Sequence, residues 1–158
     1  MSGFENKLEL SEPNAIALKL GYGGLLPFVL GAALIWIVRA DVHAYVAESL
    51  SAYAAVILSF LGGIHWGLAM LLQTQWQAEK KAAPTSMFVW GVLPSLVAWV
   101  AVIMPAYAGL VIQGLTLVVC YLVDRKVYPR CGVSAWLTLR FRLTVVASLS
   151  CFIGAAGS

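Results

Sequence analysis

Residues 51–72 read SAYAAVILSFLGGIHWGLAMLL, an uncharged run interrupted by a single histidine, His65. About 20 predominantly apolar residues suffice for a helix to cross the hydrocarbon core of a bilayer. This run has that length with neither a proline nor a charged residue inside it. It is a membrane-spanning helix. Four further stretches share its character, at about 20–38, 87–104, 108–123 and 138–156. The uncharged part of the last, about Leu143 to Ala156, is short by itself, so residues 137–142 are counted as its first turns, with Arg140 and Arg142 snorkelling to the membrane surface.

Composition agrees with five spans. Apolar residues make up 61% of the chain and charged residues 11%, against about 45–50% and roughly 25% in soluble domains. With so little polar surface to cover a core, lipid must be the outer solvent. The sequence therefore predicts an all-α bundle of five transmembrane helices. Residues 1–19 form a cytoplasmic N-terminal segment and residues 20–157 a single transmembrane domain.

Ten basic residues fix the orientation. Alternate connections place Lys7, Lys19, Lys80, Lys81, Arg125, Lys126, Arg130, Arg140 and Arg142 on one side, and Arg39 alone on the other. Lys and Arg near membrane spans are retained in the cytoplasm, which puts the N-terminus inside and the C-terminus outside. The net charge of +3 is thus a topology signal. No basic patch interleaved with aromatics accompanies it, so nucleic acid is excluded as a partner. Residues 1–14 carry Glu5, Glu9 and Glu12, unlike a cleavable signal or a mitochondrial transit segment. The expected host is the bacterial cytoplasmic membrane rather than the mitochondrial inner membrane.

Local signals refine the spans. Ser11 is the expected N-cap of the first helix, with Pro13 just inside it, and Pro27 should kink the first span. An outer loop through Asp41, His43 and Glu48 is expected to precede the second. Trp36, Tyr53, Trp76, Tyr107, Tyr121, Tyr128 and Trp136 fall near span ends, as an interfacial aromatic belt requires.

Two features of the second span stand out. Ala55, Ser59, Gly63 and Gly67 recur every four residues, a ridge of small side chains that lets another helix approach closely. Packing against another helix of the same chain is the expected use of this ridge, and a homodimer seam is the alternative. His65 is the only ionisable side chain deep in a span, and at about 100° per residue it lies nearly opposite Gly63 and Gly67. A titratable ring in hydrocarbon calls for a partner. No acid lies inside a span, and the nearest is Asp124, at the inner end of the fourth. The expected site is an inner-side cluster of His65, Asp124 and Arg140, lined by Trp66, Trp90, Ser95 and Gln113. The plainer alternatives are a His65 that bonds a backbone carbonyl and packs, and an Asp124–Arg140 interfacial salt bridge.

Other chemistry finds no footing. Cys120, Cys131 and Cys151 have neither disulfide nor metal spacing and read as small apolar residues and one reduced thiol. His43 and His65 are expected on opposite sides of the bilayer, which disfavours a bis-histidine haem. Phosphate loops, nucleophile elbows and paired carboxylates are absent, so no catalytic residue is assigned.

The segments SFLGGIHWG (59–67), WGVLPSLVAW (90–99), YLVDR (121–125) and WLTLRFRLT (136–144) resemble the transmembrane protein 69 family, membrane proteins carrying a domain of unknown function. The resemblance runs from about Pro13 to Ala156 and implies a small polytopic inner-membrane protein. It places weight on His65, Trp66, Trp90, Pro94, Asp124, Trp136 and Arg140. It brings no activity with it, and the cofactor, if any, is left unknown. The expected function is non-enzymatic binding of a lipid-phase ligand (a quinone, lipid or porphyrin) in a cavity between the second, third and fifth helices. Two alternatives stay open: an accessory or assembly subunit of a larger membrane complex, and a small transporter or channel acting as a dimer.

Overall fold

The computed structural model describes residues 12–78 and 85–158. Among these residues six α-helices run in order: α1 (Ala15–Gly23), α2 (Leu26–Ile35), α3 (Ala40–Ala78), α4 (Thr85–Val102), α5 (Ala106–Val127) and α6 (Leu137–Gly157). Two single-turn 3-10 segments, Tyr128–Cys131 and Ser134–Trp136, join α5 to α6. Among the described residues, five helical stretches are long and apolar enough to cross a membrane, with α1 and α2 together forming the first. This is a multi-pass membrane protein. The polar end of the bundle that holds the α5–α6 connection is its basic end, carrying Arg125, Lys126 and Arg130.

The first span is broken rather than kinked. Pro27 lies in the first turn of α2, and its missing N–H leaves the Gly23 carbonyl without a helical donor. The chain turns at Gly24–Leu25, where the Tyr53 hydroxyl donates to the Gly24 carbonyl at 2.8 Å. Phe28 packs edge-on against the same tyrosine, ring centroids 5.1 Å apart. The N-cap of α1 is Asn14, whose side chain accepts from the Ala17 amide at 2.8 Å. Ser11, the residue expected there, lies outside the described residues, as do Lys7, Lys80 and Lys81.

The outer loop expected through Asp41, His43 and Glu48 is helical instead. α3 starts at Ala40, with Asp41 in its first turn, where a carboxylate suits the helix dipole. His43 Nε2 lies 2.8 Å from the Gly157 carbonyl oxygen, so the added turns hold the C-terminal end of α6. The sequence has no helix breaker from Ala40 to Leu61 to stop it.

Helix α3 is the axis of the bundle. Ala47, Leu50, Ala54, Leu58 and Leu61 form one buried stripe, packed with Phe28 and Ile35 from α2, Ala98 from α4, Leu110 and Leu117 from α5 and Ala147 from α6. The most extensive contacts join α3 to α4 and α5 to α6. Cys120 and Cys151 are buried as small apolar residues and Cys131 is half-buried.

The ridge does not do what its spacing suggested. Ser59, Gly63 and Gly67 are exposed, and a Cβ at Gly63 or Gly67 would meet nothing within 4 Å. The close approach between helices is made one residue away, at Gly62, where a Cβ would strike the Gly91 carbonyl oxygen of α4. Gly63→Leu is therefore expected to change stability by no more than about 0.5 kcal/mol. Thermal unfolding in detergent checks this, and loss of the folded protein would contradict it.

Candidate functional site

Three buried polar side chains from three helices converge at the basic end of the bundle. Asp124, three residues before the end of α5, is 1% exposed, His65 of α3 2% and Arg140 of α6 8%. Arg140 Nε donates to Asp124 Oδ2 at 2.8 Å, and its Nη2 stands 2.6 Å from the same oxygen. The second contact is an ion pair without hydrogen-bond alignment, since Nη2 has no bonded partner. On the far side of the carboxylate, His65 Nε2 lies 3.3 Å from Asp124 Oδ1, again without hydrogen-bond alignment. His65 Nδ1 is 3.3 Å from the Leu61 carbonyl, one helical turn back. Both ring nitrogens therefore face acceptors of this chain.

Aromatic rings enclose this triad. Trp90 of α4 stands edge-on to His65 at 6.5 Å between centroids, and Tyr128 lies 6.3 Å from it. The Tyr128 hydroxyl sits beside the Arg140 guanidinium. Burying an ion in a medium of low dielectric costs several kcal/mol after relaxation, recovered only when a partner and good geometry are supplied. Asp124 and Arg140 supply them for each other, and their formal charges cancel.

Two spaces flank the triad. On one side is an apolar groove of about 640 Å³ bounded by α1, α2, α3, α5 and α6. Its walls include Leu20, Phe28, Ile57, Leu61, Leu68 and Ala147. From Leu68 to Ile57 it follows α3 for 11 residues, or about 16 Å at the helical rise, roughly half the hydrocarbon thickness. Its polar side chains are Tyr128, Trp136, Arg140 and Thr144. On the other side is a smaller space of about 240 Å³ lined by His65, Ser86, Met87, Trp90, Val123 and Val127. The triad forms the partition between them. Among the described residues, no three His, Cys, Asp or Glu side chains gather in a way that would hold a metal ion.

A family described as protein of unknown function (DUF3429) matches residues 13–156. The chain belongs to this DUF3429 family. Transmembrane protein 69 of Xenopus tropicalis is 39% identical over 140 residues, covering 85% of this chain and 51% of that relative. The chain thus spans about half the length of the curated relative it matches. No solved structure matches it.

The structure of this DUF3429 chain gathers some of the expected site residues and separates others. His65, Asp124, Arg140 and Trp90 come together. Trp66 does not join them: it is 43% exposed and donates its indole N–H to the Phe88 carbonyl at 2.9 Å. Its ring lies over Gly91, where a Cβ would collide with it, and so clasps α3 to α4. Ser95 is half-buried and gives its hydroxyl to the Val92 carbonyl at 2.7 Å. Gln113 is buried, but its amide donates to the Ser51 carbonyl at 2.9 Å. It sits 11 residues before Asp124 on α5, about 16 Å away along the axis.

Tyr128 and Thr144 belong to the site and were not expected there. Each stands four residues after a triad member, Asp124 or Arg140, on the same helical face. That spacing is the signal that would have found them. The expected cavity is also relocated: the larger space borders the first, second, fourth and fifth spans, and α4 lines only the smaller one.

Proposed function

We propose that this DUF3429 protein binds a lipid-phase ligand without catalysing a reaction on it. The protein sits in an inner membrane with its basic end in the cytoplasm, N-terminus inside and C-terminus outside. The clustering of Lys and Arg on one side supports that orientation. The groove carries the functional reading. Its volume of about 640 Å³ falls within the roughly 300–1,000 Å³ of small-molecule sites. Its length matches one leaflet, and its walls are apolar except at the basic end, where Arg140 stands. That is the layout for a hydrocarbon chain with a polar head.

In this scheme Asp124 orients Arg140 toward the groove, and His65 supports Asp124 from behind as a positioning residue. With both ring nitrogens facing acceptors, His65 is poorly placed as an axial ligand, so a quinone or lipid suits the site better than a porphyrin. α1 has no buried residues, which makes its wall of the groove the most easily altered. Native mass spectrometry of protein purified from its own membrane in mild detergent tests the reading. The wild type is expected to retain one equivalent of a long-chain molecule, and Ala17→Trp, which fills the groove from that wall, to lose it. Retention in the variant, or nothing bound to the wild type, would sink the proposal.

A second reading, an accessory subunit of a larger complex, draws on the exposed small-residue ridge at Ser59, Gly63 and Gly67. There Gly63→Leu should abolish partner capture while Ala17→Trp leaves it intact.

A further inference from the structure

The polar side chains of the groove share a property that narrows the ligand. Tyr128 offers an O–H, Trp136 an indole N–H, Arg140 a guanidinium and Thr144 an O–H. Among the described residues, no carboxylate lines the groove. Asp124 is shut behind Arg140 with 1% exposure and is already occupied by it. Trp136 is half-buried and its indole N–H has no hydrogen-bond partner among the described residues. The Thr144 hydroxyl is buried and likewise unpartnered among them. The Trp136 N–H is not sealed off, so an acceptor oxygen entering the groove gains a hydrogen bond there that nothing else in the described residues supplies. Among the described residues, an ammonium head would meet the Arg140 guanidinium and find no anion to receive it.

We infer that the groove selects a single-chain lipid whose head presents hydrogen-bond acceptor oxygens, a carboxylate or a quinone-type carbonyl, and rejects one whose head is an amine. This rests on the lipid-binding reading above and adds the chemistry of the head. The hydrocarbon chain lies along Leu61, Leu68 and Ala147, and the head rests against Trp136 and Arg140. Trp136 lies outside the triad, so it can be altered without uncovering a buried charge.

The test titrates delipidated full-length protein with oleate, decylubiquinone and oleylamine, and reads the bound fraction by native mass spectrometry. At least one of the two oxygen-headed probes is expected to saturate at one equivalent with tenfold or greater preference over oleylamine. Which of them binds identifies the source of the acceptor. Trp136→Phe is expected to weaken that probe by about fivefold, the size of one hydrogen bond, and to leave oleylamine unchanged. Thr144→Val serves as a second variant with the same expectation, and Thr144→Ser should restore binding. Oleylamine binding as tightly as the other two would overturn the head-group inference while leaving lipid binding intact. Failure of all three probes would overturn the lipid-binding reading as well.

Discussion

Asp124→Ala is expected to destabilise the bundle by about 3–5 kcal/mol, the cost of stranding a buried charge. The partner left behind is Arg140, 8% exposed in a helix that faces four others. Asp124 takes both the Nε hydrogen bond and the Nη2 contact of that guanidinium. Without the carboxylate, the guanidinium must either drag α6 toward the membrane surface or stay charged in an apolar surround. Arg140→Ala should cost as much, because it leaves the buried Asp124 carboxylate without its guanidinium partner. The double change Asp124→Leu with Arg140→Met removes both charges and keeps the volume. Its cost should be smaller than that of either single variant, since isosteric apolar replacement of a buried pair is often neutral. Unfolding titrations of the three variants in detergent measure this. A double variant that loses as much as the two single ones summed would show that the charges do not act as a pair.

The second large effect lies in the Gly62–Gly91 contact. A methyl group at Gly62 would run into the Gly91 carbonyl oxygen, which belongs to a helix backbone and has no rotamer to escape by. Gly62→Ala should therefore cost about 3 kcal/mol, the upper end of overpacking penalties. A Cβ at Gly91 collides chiefly with the Trp66 ring and comes within 3.0 Å of the Gly62 carbonyl oxygen. That ring is partly exposed and can swing away, giving up its bond to the Phe88 carbonyl. Gly91→Ala should cost less, about 1 kcal/mol for the lost hydrogen bond. Gly63→Ala, with open space around it, is the neutral control. Equal stability of the Gly62 and Gly63 variants would refute the close approach.

These glycines mark the boundary of what the sequence discloses. The five spans were legible because a bilayer demands long apolar runs, and no folding detail can hide that requirement. The triad was legible for a related reason: a histidine in hydrocarbon must find polar company, and Asp124 and Arg140 were the groups at matching depth. Which face of α3 meets a neighbour was not legible. Gly63 and Gly67 read as places of close approach, yet it is Gly62 that faces α4. A helical wheel gives the phase of each residue and not the position of the next helix. The same limit misplaced Trp66, which points away from His65 onto Gly91, and Gln113, which bonds Ser51 well away from Asp124. The N-terminal turns of α3 were missed because Asp41, His43 and Glu48 look like loop residues. They are the part of a membrane helix that extends beyond its apolar run, pinned by His43 to the end of α6.

A cavity was expected from the sequence, but the walls of the groove were not legible there: it borders the first and fourth spans and not the third. It depends on the break at Gly24–Leu25, which leaves α1 as a short wall with no buried residues, and on the placement of Tyr128 and Trp136 by the two 3-10 turns. Neither is set by periodicity.

Photocrosslinking in the native membrane reports whether this groove holds a lipid-phase molecule. Cells are supplied with a long-chain fatty acid bearing a diazirine on its chain, irradiated, and the protein's adducts are mapped by peptide mass spectrometry. Adducts are expected to concentrate on groove residues such as Leu61, Leu68, Leu143 and Ala147. Adducts spread evenly over outward-facing residues such as Trp99, Val100 and Ile103, with the groove no richer than they are, would contradict lipid binding in the groove.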